Sequence, residues 1–386
     1  MTKLDYLPYG KQWIDEDDLT AVIEALNSDW LTTGPRVREF EEALAAKVGA
    51  RYAVVLNSGT AALHAAYFAA GIRAEDEVIT SPITFAATAN AAFYMGANPV
   101  FADIDYNSGN IDPESIEKAI TKKTKILAPV DFAGQPADLD AIMDIARRNN
   151  LTVVEDAAHA LGAMYKNRKI GSLADMTIFS FHPVKHITTG EGGAVVTDNP
   201  DYIKKLLMFR SHGIARDNIQ MTEEHGPWYY EMQVLGYNYR ITDIQCALGI
   251  SQLKKLDKFI AIRKRIAEEY NRRLSHLSEY LELPIQKSSS DSSWHLYVVK
   301  VKGEQTERRK LFDYLHAKQI GVQVHYIPVY WHPYYKRLGY KKGLCPEAER
   351  FYYDVISLPI FPKMNKMDVD RVCSEIAVYY GVDSIE

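Results

Sequence analysis

Residues 151–159 read Leu151-Thr152-Val153-Val154-Glu155-Asp156-Ala157-Ala158-His159, an apolar run of strand length that ends in a carboxylate. Before it, Leu139–Asn149 carries a helical pattern and Lys125–Val130 is a second apolar run. Further back the alternation continues through helix Ser115–Ile120, strand Pro99–Ala102, helix Phe85–Met95, strand Glu77–Thr80, helix Thr60–Gly71 and strand Tyr52–Leu56. Forward of it, Met176–Phe181 and Gly193–Thr197 read as two more strands. Short apolar strands alternating with helices predict an α/β fold, a mostly parallel sheet covered by helices on both faces.

The flanks differ from this centre. Residues 1–50 open with a turn at Tyr9-Gly10-Lys11 and an acidic helix start at Asp15–Asp18. A break at Leu31–Pro35 then precedes a helix over Val37–Val48. Beyond about residue 245, helix Ile244–Ile262 runs into the charged helix Arg263–Leu277, followed by the serine-rich loop Ser288–Ser293. Trp294–Val301 and Val322–His325 read as strands separated by helix Arg308–Lys318. From Glu347 the tail reads as helical with an apolar interruption at Ile356–Phe361. This describes a large domain over residues 1–250 and a smaller α+β domain over 251–386, with the boundary inside a helix in the region 240–265.

The chain has 386 residues, 47% hydrophobic and 25% charged, so a disordered or fibrous protein is excluded. The net charge is −5 with both signs spread along the chain. No Lys/Arg block offers a nucleic-acid surface, although a local basic pocket for an anionic small molecule is compatible. No apolar run approaches the ~20 residues that span a bilayer, and the first residues lack the apolar stretch of a secretory signal. Cys246, Cys345 and Cys373 are far apart and lack metal-ligand spacing, which suits buried thiols in a reducing compartment. A cytoplasmic protein without nucleic-acid or membrane partners is expected.

Chemistry concentrates where strands end. Lys185, in Phe179-Ser180-Phe181-His182-Pro183-Val184-Lys185, follows an apolar strand and precedes the glycine-rich Thr188–Gly193. A lysine desolvated there has a lowered pKa and a neutral amine able to attack carbonyls; a lone loop lysine is the plainer reading. Asp156, at the carboxyl end of its strand, is placed to hold a proton on a heterocyclic nitrogen or simply to cap a helix. In Asn57-Ser58-Gly59-Thr60-Ala61 a strand runs into a helix start whose N–H groups and hydroxyls face an anion. Neither a Walker loop nor G-x-G-x-x-G is present there. Phe85 stacks on a flat ring or belongs to the core, and Gly236-Tyr237-Asn238-Tyr239-Arg240 is a hydrogen-bonding loop. His182 and His186, four apart, and Asp156 with His159 raise a metal site, but Pro183 breaks the helix face that such spacing needs. No metal is expected.

Taken together, Asn-Ser-Gly-Thr-Ala at 57–61, Ser-Pro-Ile-Thr-Phe-Ala-Ala-Thr-Ala-Asn at 81–90, Glu-Asp-Ala-Ala-His at 155–159, Ser-Phe-His-Pro-Val-Lys at 180–185, Gly-Glu-Gly-Gly at 190–193 and Gly-Tyr-Asn-Tyr-Arg at 236–240 resemble the sugar aminotransferase family of fold-type-I pyridoxal phosphate enzymes. The resemblance spans nearly the whole chain. It implies a seven-stranded large domain that binds pyridoxal 5'-phosphate, a small C-terminal domain and a homodimer. It assigns Lys185 to the covalent link with the cofactor and Asp156 to the pyridinium nitrogen. Gly59, Thr60 and Ser180 are implied to hold the phosphate, with Asn238 reaching across the dimer interface. Phe85 is implied to stack on the ring, and His159 stands near the ring hydroxyl where many relatives have Gln. A nucleotide-sugar is implied to meet Tyr9, Asp29, Trp30, Leu31, Thr32, His325, Tyr326 and Ile327, with glutamate as the amino donor. The dehydratase branch of the family replaces the lysine by histidine, and Lys185 speaks against it. Loss of Lys185 or Asp156 would have marked a binding protein on a degenerate fold; both are present.

Overall fold

The structure, a computed structural model, describes residues 5–215, 221–223 and 225–383; the first four residues, part of the N-terminal reading above, lie outside that range. Strands β1 (Tyr52–Leu56), β2 (Glu77–Thr80), β3 (Asn98–Phe101), β4 (Thr124–Ala128), β5 (Thr152–Asp156), β6 (Met176–Ser180) and β7 (Gly193–Thr197) form one sheet. Their order is β1-β7-β6-β5-β4-β2-β3, and all pairs are parallel except those of β7, which runs antiparallel to both neighbours. The expected strands are therefore present, each within a residue or two of its expected start.

Alternation along the strands feeds two cores. Val154 of β5 faces the core with helix Gly59–Ala69, whose small side chains Ala61, Ala62, Ala65, Ala66 and Ala69 let it lie close on the sheet. Val153 faces the other core, against Ile142, Ile145 and Ala146 of helix Leu139–Asn149. Because both faces are covered, the strands read as near-continuous apolar runs. Asp156 shares the face of Val154, and Glu155 that of Val153.

A continuous helix, Asp243–Leu274, carries the chain out of this unit, so the proposed division between residues 250 and 251 falls inside it. Its later part joins helices Gln305–Ala317 and Lys366–Tyr379 around an antiparallel sheet of β8 (Leu281–Glu282), β9 (Tyr297–Val301) and β10 (Val355–Leu358), in that order. Two expectations are corrected here. The apolar interruption in the tail is strand β10, paired with β9 over Tyr297–Leu358 to Lys300–Val355. Val322–His325 is no strand: Gln323 alone exchanges both backbone hydrogen bonds with Ser357. Beyond it the chain leaves the ladder because His325 is tied to the Ser357 hydroxyl (2.8 Å) and Tyr326 to His159 (3.1 Å). Among the described residues no helix is long and apolar enough to cross a membrane.

Candidate active site

The carboxyl ends of β1, β5 and β6 open into a cavity of about 490 Å³, where ligands bind in open α/β sheets. β1 turns at Ser58 into helix Gly59–Ala69. The Ser58 hydroxyl caps that helix by accepting from the Ala61 N–H at 3.0 Å, leaving the Gly59 and Thr60 N–H groups without an intrahelical acceptor. Ser180 ends β6 beside them: a Cβ built on Gly59 would lie 3.1 Å from the Ser180 Cβ and 3.3 Å from its Oγ. The helix start, its dipole and one hydroxyl thus form a small cradle for a phosphate. Gly193 of β7 makes room for it, since a Cβ there would meet the Ser58 carbonyl at 2.5 Å and the Gly59 nitrogen at 2.6 Å.

Asp156, at the end of β5, is buried and points into the same cavity. Its Oδ2 accepts from the Thr88 hydroxyl at 2.6 Å and its Oδ1 from the Ala158 N–H at 3.1 Å. Burial raises its pKa, while these two donors and Lys185 oppose the rise. Thr88 is joined in turn to Thr84 at 2.9 Å. Across the cavity Lys185 is pushed down to about 8, by burial first and with a contribution from the buried Arg263 guanidinium, whereas Asp156 works the other way. Arg263 has no carboxylate partner; its Nη1 donates to the carbonyls of Trp294, His295 and Ile360 at 3.2, 3.2 and 2.9 Å.

His159 is buried, and burial holds its pKa far below the ordinary value, so the imidazole is neutral. It packs against His295 with centroids 4.3 Å apart and meets the Tyr326 hydroxyl at 3.1 Å. Phe85 is 66% exposed yet lines the cavity, an apolar ring left open on the side where a flat ligand would lie. Tyr9 and His325 close the opposite rim, their rings 5.5 Å apart.

The cavity therefore gathers Gly59, Thr60, Phe85, Asp156, His159, Ser180 and Lys185, and with them Tyr9, His325 and Tyr326. It does not gather the remaining expected residues. Asn238 is exposed on the outer side of the cradle, where its carbonyl accepts from the Asn57 side chain at 3.4 Å. Asp29, Trp30, Leu31 and Thr32 are exposed, fastened by the Asp243 N–H to the Leu31 carbonyl at 3.0 Å. Ile327 is half-buried against the aromatic cluster around Tyr330 and Trp331. His182 stands at the cavity and His186 is buried behind it on the Ser293 carbonyl, so the two do not converge. Among the described residues no group of three or more His, Cys, Asp or Glu is arranged for a metal ion. Sequence reasoning missed Thr84, Thr88 and Gly193 as site residues. The two threonines gave no periodic signal, since Thr88 lies in the first turn of helix Ala87–Tyr94 and Thr84 in the bend before it.

These residues fit pyridoxal phosphate: a cradle for its phosphate, a buried carboxylate for its ring nitrogen, an exposed aromatic ring and a lysine with a lowered pKa. Comparison with known proteins agrees. Residues 12–377 match the DegT/DnrJ/EryC1/StrS aminotransferase family. The chain is 44% identical over 370 residues to the UDP-4-amino-4,6-dideoxy-N-acetyl-beta-L-altrosamine transaminase of Campylobacter jejuni, covering 95% of each. It is 43% identical over 375 residues to the spore coat polysaccharide biosynthesis protein SpsC of Bacillus subtilis, covering 96% of each. Among solved structures, Helicobacter pylori PseC, an aminotransferase involved in the biosynthesis of pseudoaminic acid, superposes with a TM-score of 0.91 at 35% identity over 98% of this chain and 100% of that one.

Proposed function

The chain belongs to the DegT/DnrJ/EryC1/StrS aminotransferase family, and from that premise we propose that it moves an amino group from L-glutamate to C4 of a UDP-linked 4-keto-6-deoxy-N-acetylhexosamine, leaving 2-oxoglutarate. The observation that carries the substrate is the 44% identity, over 95% of both chains, to a transaminase named for such a sugar. Gln323–Pro328 and Ser357–Pro362 are stretches in which the sequence resembles that enzyme. The family membership, with 43% identity to a protein named for spore coat polysaccharide biosynthesis, is equally compatible with a second reading, C4 amination of another nucleotide ketosugar such as a perosamine, viosamine or aminoarabinose precursor.

Pyridoxal 5'-phosphate, the family's cofactor, supplies an aldehyde and an electron sink when bound. The chain's own residues do the rest. Gly59, Thr60 and Ser180 anchor the phosphate, and Phe85 and His159 bound the ring. Asp156, whose carboxylate form Thr88 and Ala158 favour against burial, keeps a proton on the ring nitrogen. Lys185, once free, is the general base and acid that takes the proton from Cα of glutamate and returns it on the far side of the transfer; a pKa of about 8 suits both directions near neutral pH. Tyr9, Asp29, Trp30, Leu31, Thr32, His325, Tyr326 and Ile327 are the proposed contacts of the nucleotide-sugar.

Two of these features point to a homodimer. Among the described residues that line the cavity Lys185 is the sole lysine or arginine, little charge for a phosphate dianion and anionic substrates. Trp30, Leu31, Trp228, Met232 and Leu235 are exposed apolar side chains of the kind a second copy would cover, an arrangement that would bring Asn238 to the partner's phosphate. The three cysteines are free and buried, and we place the enzyme in the cytoplasm. The test is the absorbance of purified protein with and without glutamate, beside Lys185→Ala. A cofactor band that glutamate bleaches, with no turnover in the variant, supports the transaminase, and UDP-4-ketosugars are then compared as acceptors. No band after incubation with pyridoxal phosphate would overturn it. A monomer at full cofactor occupancy on gel filtration would overturn the dimer.

A further inference from the structure

Directly behind Asp156 lie two carboxyl groups that the mechanism above does not use. Asp131, just past β4, and Glu155, on β5, are both fully buried. Each spends one oxygen on a donor: Asp131 Oδ1 accepts from the Ala137 N–H at 2.9 Å, and Glu155 Oε2 from the Thr177 hydroxyl at 2.7 Å. Among the described residues the other oxygens, Asp131 Oδ2 and Glu155 Oε1, accept from no donor, and the two side chains lie within hydrogen-bonding reach of each other. Two acceptors joined in this way require a proton between them.

The pair is also wired to Asp156 through the backbone. The Asp131 N–H donates to the Asp156 carbonyl at 3.1 Å, and the Asp156 N–H donates to the Pro129 carbonyl at 2.8 Å. Thr177 lies opposite Glu155 on β6. A single bridge thus runs from the end of β4 through β5 to β6, on the face of the sheet opposite the Asp156 side chain. We propose that Asp131 and Glu155 are a proton-sharing acid pair that positions Asp156, a role that rests on the aminotransferase reading above.

Burial pushes both carboxyls upward; Glu155 adds to the rise at Asp131, whereas Thr177 and Asp131 oppose it at Glu155, which still stands at about 7. The further charge acting on the pair is Asp156, which in turn faces Lys185. The geometry makes a discriminating set of variants. In Glu155→Gln the amide oxygen accepts from Thr177 and the amide nitrogen donates to Asp131. In Asp131→Asn the oxygen accepts from Ala137 and the nitrogen donates to Glu155. Either single variant keeps every bond without a shared proton. In the double variant the Ala137 N–H turns the new amide nitrogen at position 131 toward position 155, so the amide at position 155 either meets it with its own NH₂ or flips and gives up the bond that Thr177 donates; either way the bridge loses a bond.

Infrared difference spectra at pH 7 of wild type against each single variant should show the loss of one protonated carboxyl. Urea unfolding should show a second signature. From about pH 5 to about pH 7 the folded wild type retains one proton that the unfolded chain has released. Its folding constant therefore falls about tenfold more per pH unit than that of either single variant. Cofactor affinity should stay within about threefold of wild type in the singles and drop at least tenfold in the double, as a lost buried hydrogen bond would give. A wild type with no protonated carboxyl, equal pH slopes, or a double variant that binds cofactor like the singles would each overturn the proposal. The first two measurements need no cofactor, so failure of the transaminase reading would appear separately, as a wild type that never acquires a cofactor band.

Discussion

Thr88→Val is the sharpest test of how the site holds its ring-nitrogen partner. The Thr88 oxygen lies 2.6 Å from Asp156 Oδ2 and 3.3 Å from the Phe85 carbonyl, so its one proton goes to Asp156. The Thr84 hydroxyl, 2.9 Å away, supplies the return donation. The Ala158 N–H serves the other carboxylate oxygen and does not compensate. A hydrogen bond to a charged group contributes about 1.5–3 kcal/mol, and the deletion should raise the pKa of Asp156 by about one to two units. An Asp156 that holds its own proton no longer keeps it on the ring nitrogen. The rate at which glutamate bleaches the bound cofactor should therefore fall about 10- to 150-fold, with little change in cofactor binding at the phosphate end. Thr88→Ser, which keeps the hydroxyl, should recover most of the rate. Stopped-flow absorbance of the two variants decides it. A Thr88→Val rate within threefold of wild type, or a Thr88→Ser as impaired as Thr88→Val, would refute the reasoning.

Three further outcomes are expected. Only the neutral amine of Lys185 captures the cofactor, so the capture rate by cofactor-free protein should rise tenfold per pH unit up to about 8 and then level off; an inflection near the ordinary lysine value would contradict the desolvated site. Gly193→Ala drives a Cβ into the backbone of Ser58 and Gly59, and overpacking of about 1–3 kcal/mol should weaken cofactor binding at least tenfold in equilibrium dialysis while the sheet folds; unchanged affinity would mean the cradle has slack. Tyr326→Phe removes the 3.1 Å partner of His159 Nε2 in an imidazole whose Nδ1 already has none, so the protein should lose about 1–3 kcal/mol in urea unfolding; no loss would place a water at His159 instead.

The sheet was legible because its strands are buried on both faces and so announce themselves as apolar runs between helical patterns. The phosphate cradle, Asp156 and Lys185 were legible because each sits at the end of such a run. What was not legible depends on contacts distant in sequence. Ile356–Leu358 reads as an apolar break in a helical tail until Tyr297–Lys300 pairs with it. Val322–His325 has the composition of a strand, but two side-chain bonds, to Ser357 and His159, draw it into the cavity. Asp131 sits in Asp131-Phe132-Ala133-Gly134, which reads as a turn, and nothing local reveals that Glu155 lies against it. Asn238 and Asp29–Thr32 lie outside the cavity of this chain, exposed, and nothing in their local sequence separates a cavity residue from an exposed one.

The two groups proposed to carry the chemistry, Asp156 and Lys185, lie 29 positions apart in sequence, and the fold gives them opposite surroundings. Behind Lys185 stand an unpaired guanidinium, Arg263, and three buried imidazoles held neutral, His159, His186 and His295. Nothing there rewards a second positive charge, so the lysine is driven toward the neutral amine that its role requires. Behind Asp156 stand two hydroxyl or amide donors and an acid pair with one proton. The donors favour the carboxylate, and the remaining charge of the acid pair favours a proton on whatever faces Asp156 across the cavity. A base poised near neutral pH at one end and a fixed anion at the other is the separation of protonation states that acid–base chemistry on a single flat ring needs. The separation resides in burial and in which partners are absent, which is why exchanging Thr88 should change the chemistry without changing the fold, whereas Asp131 and Glu155 should be felt at the site only when both are exchanged.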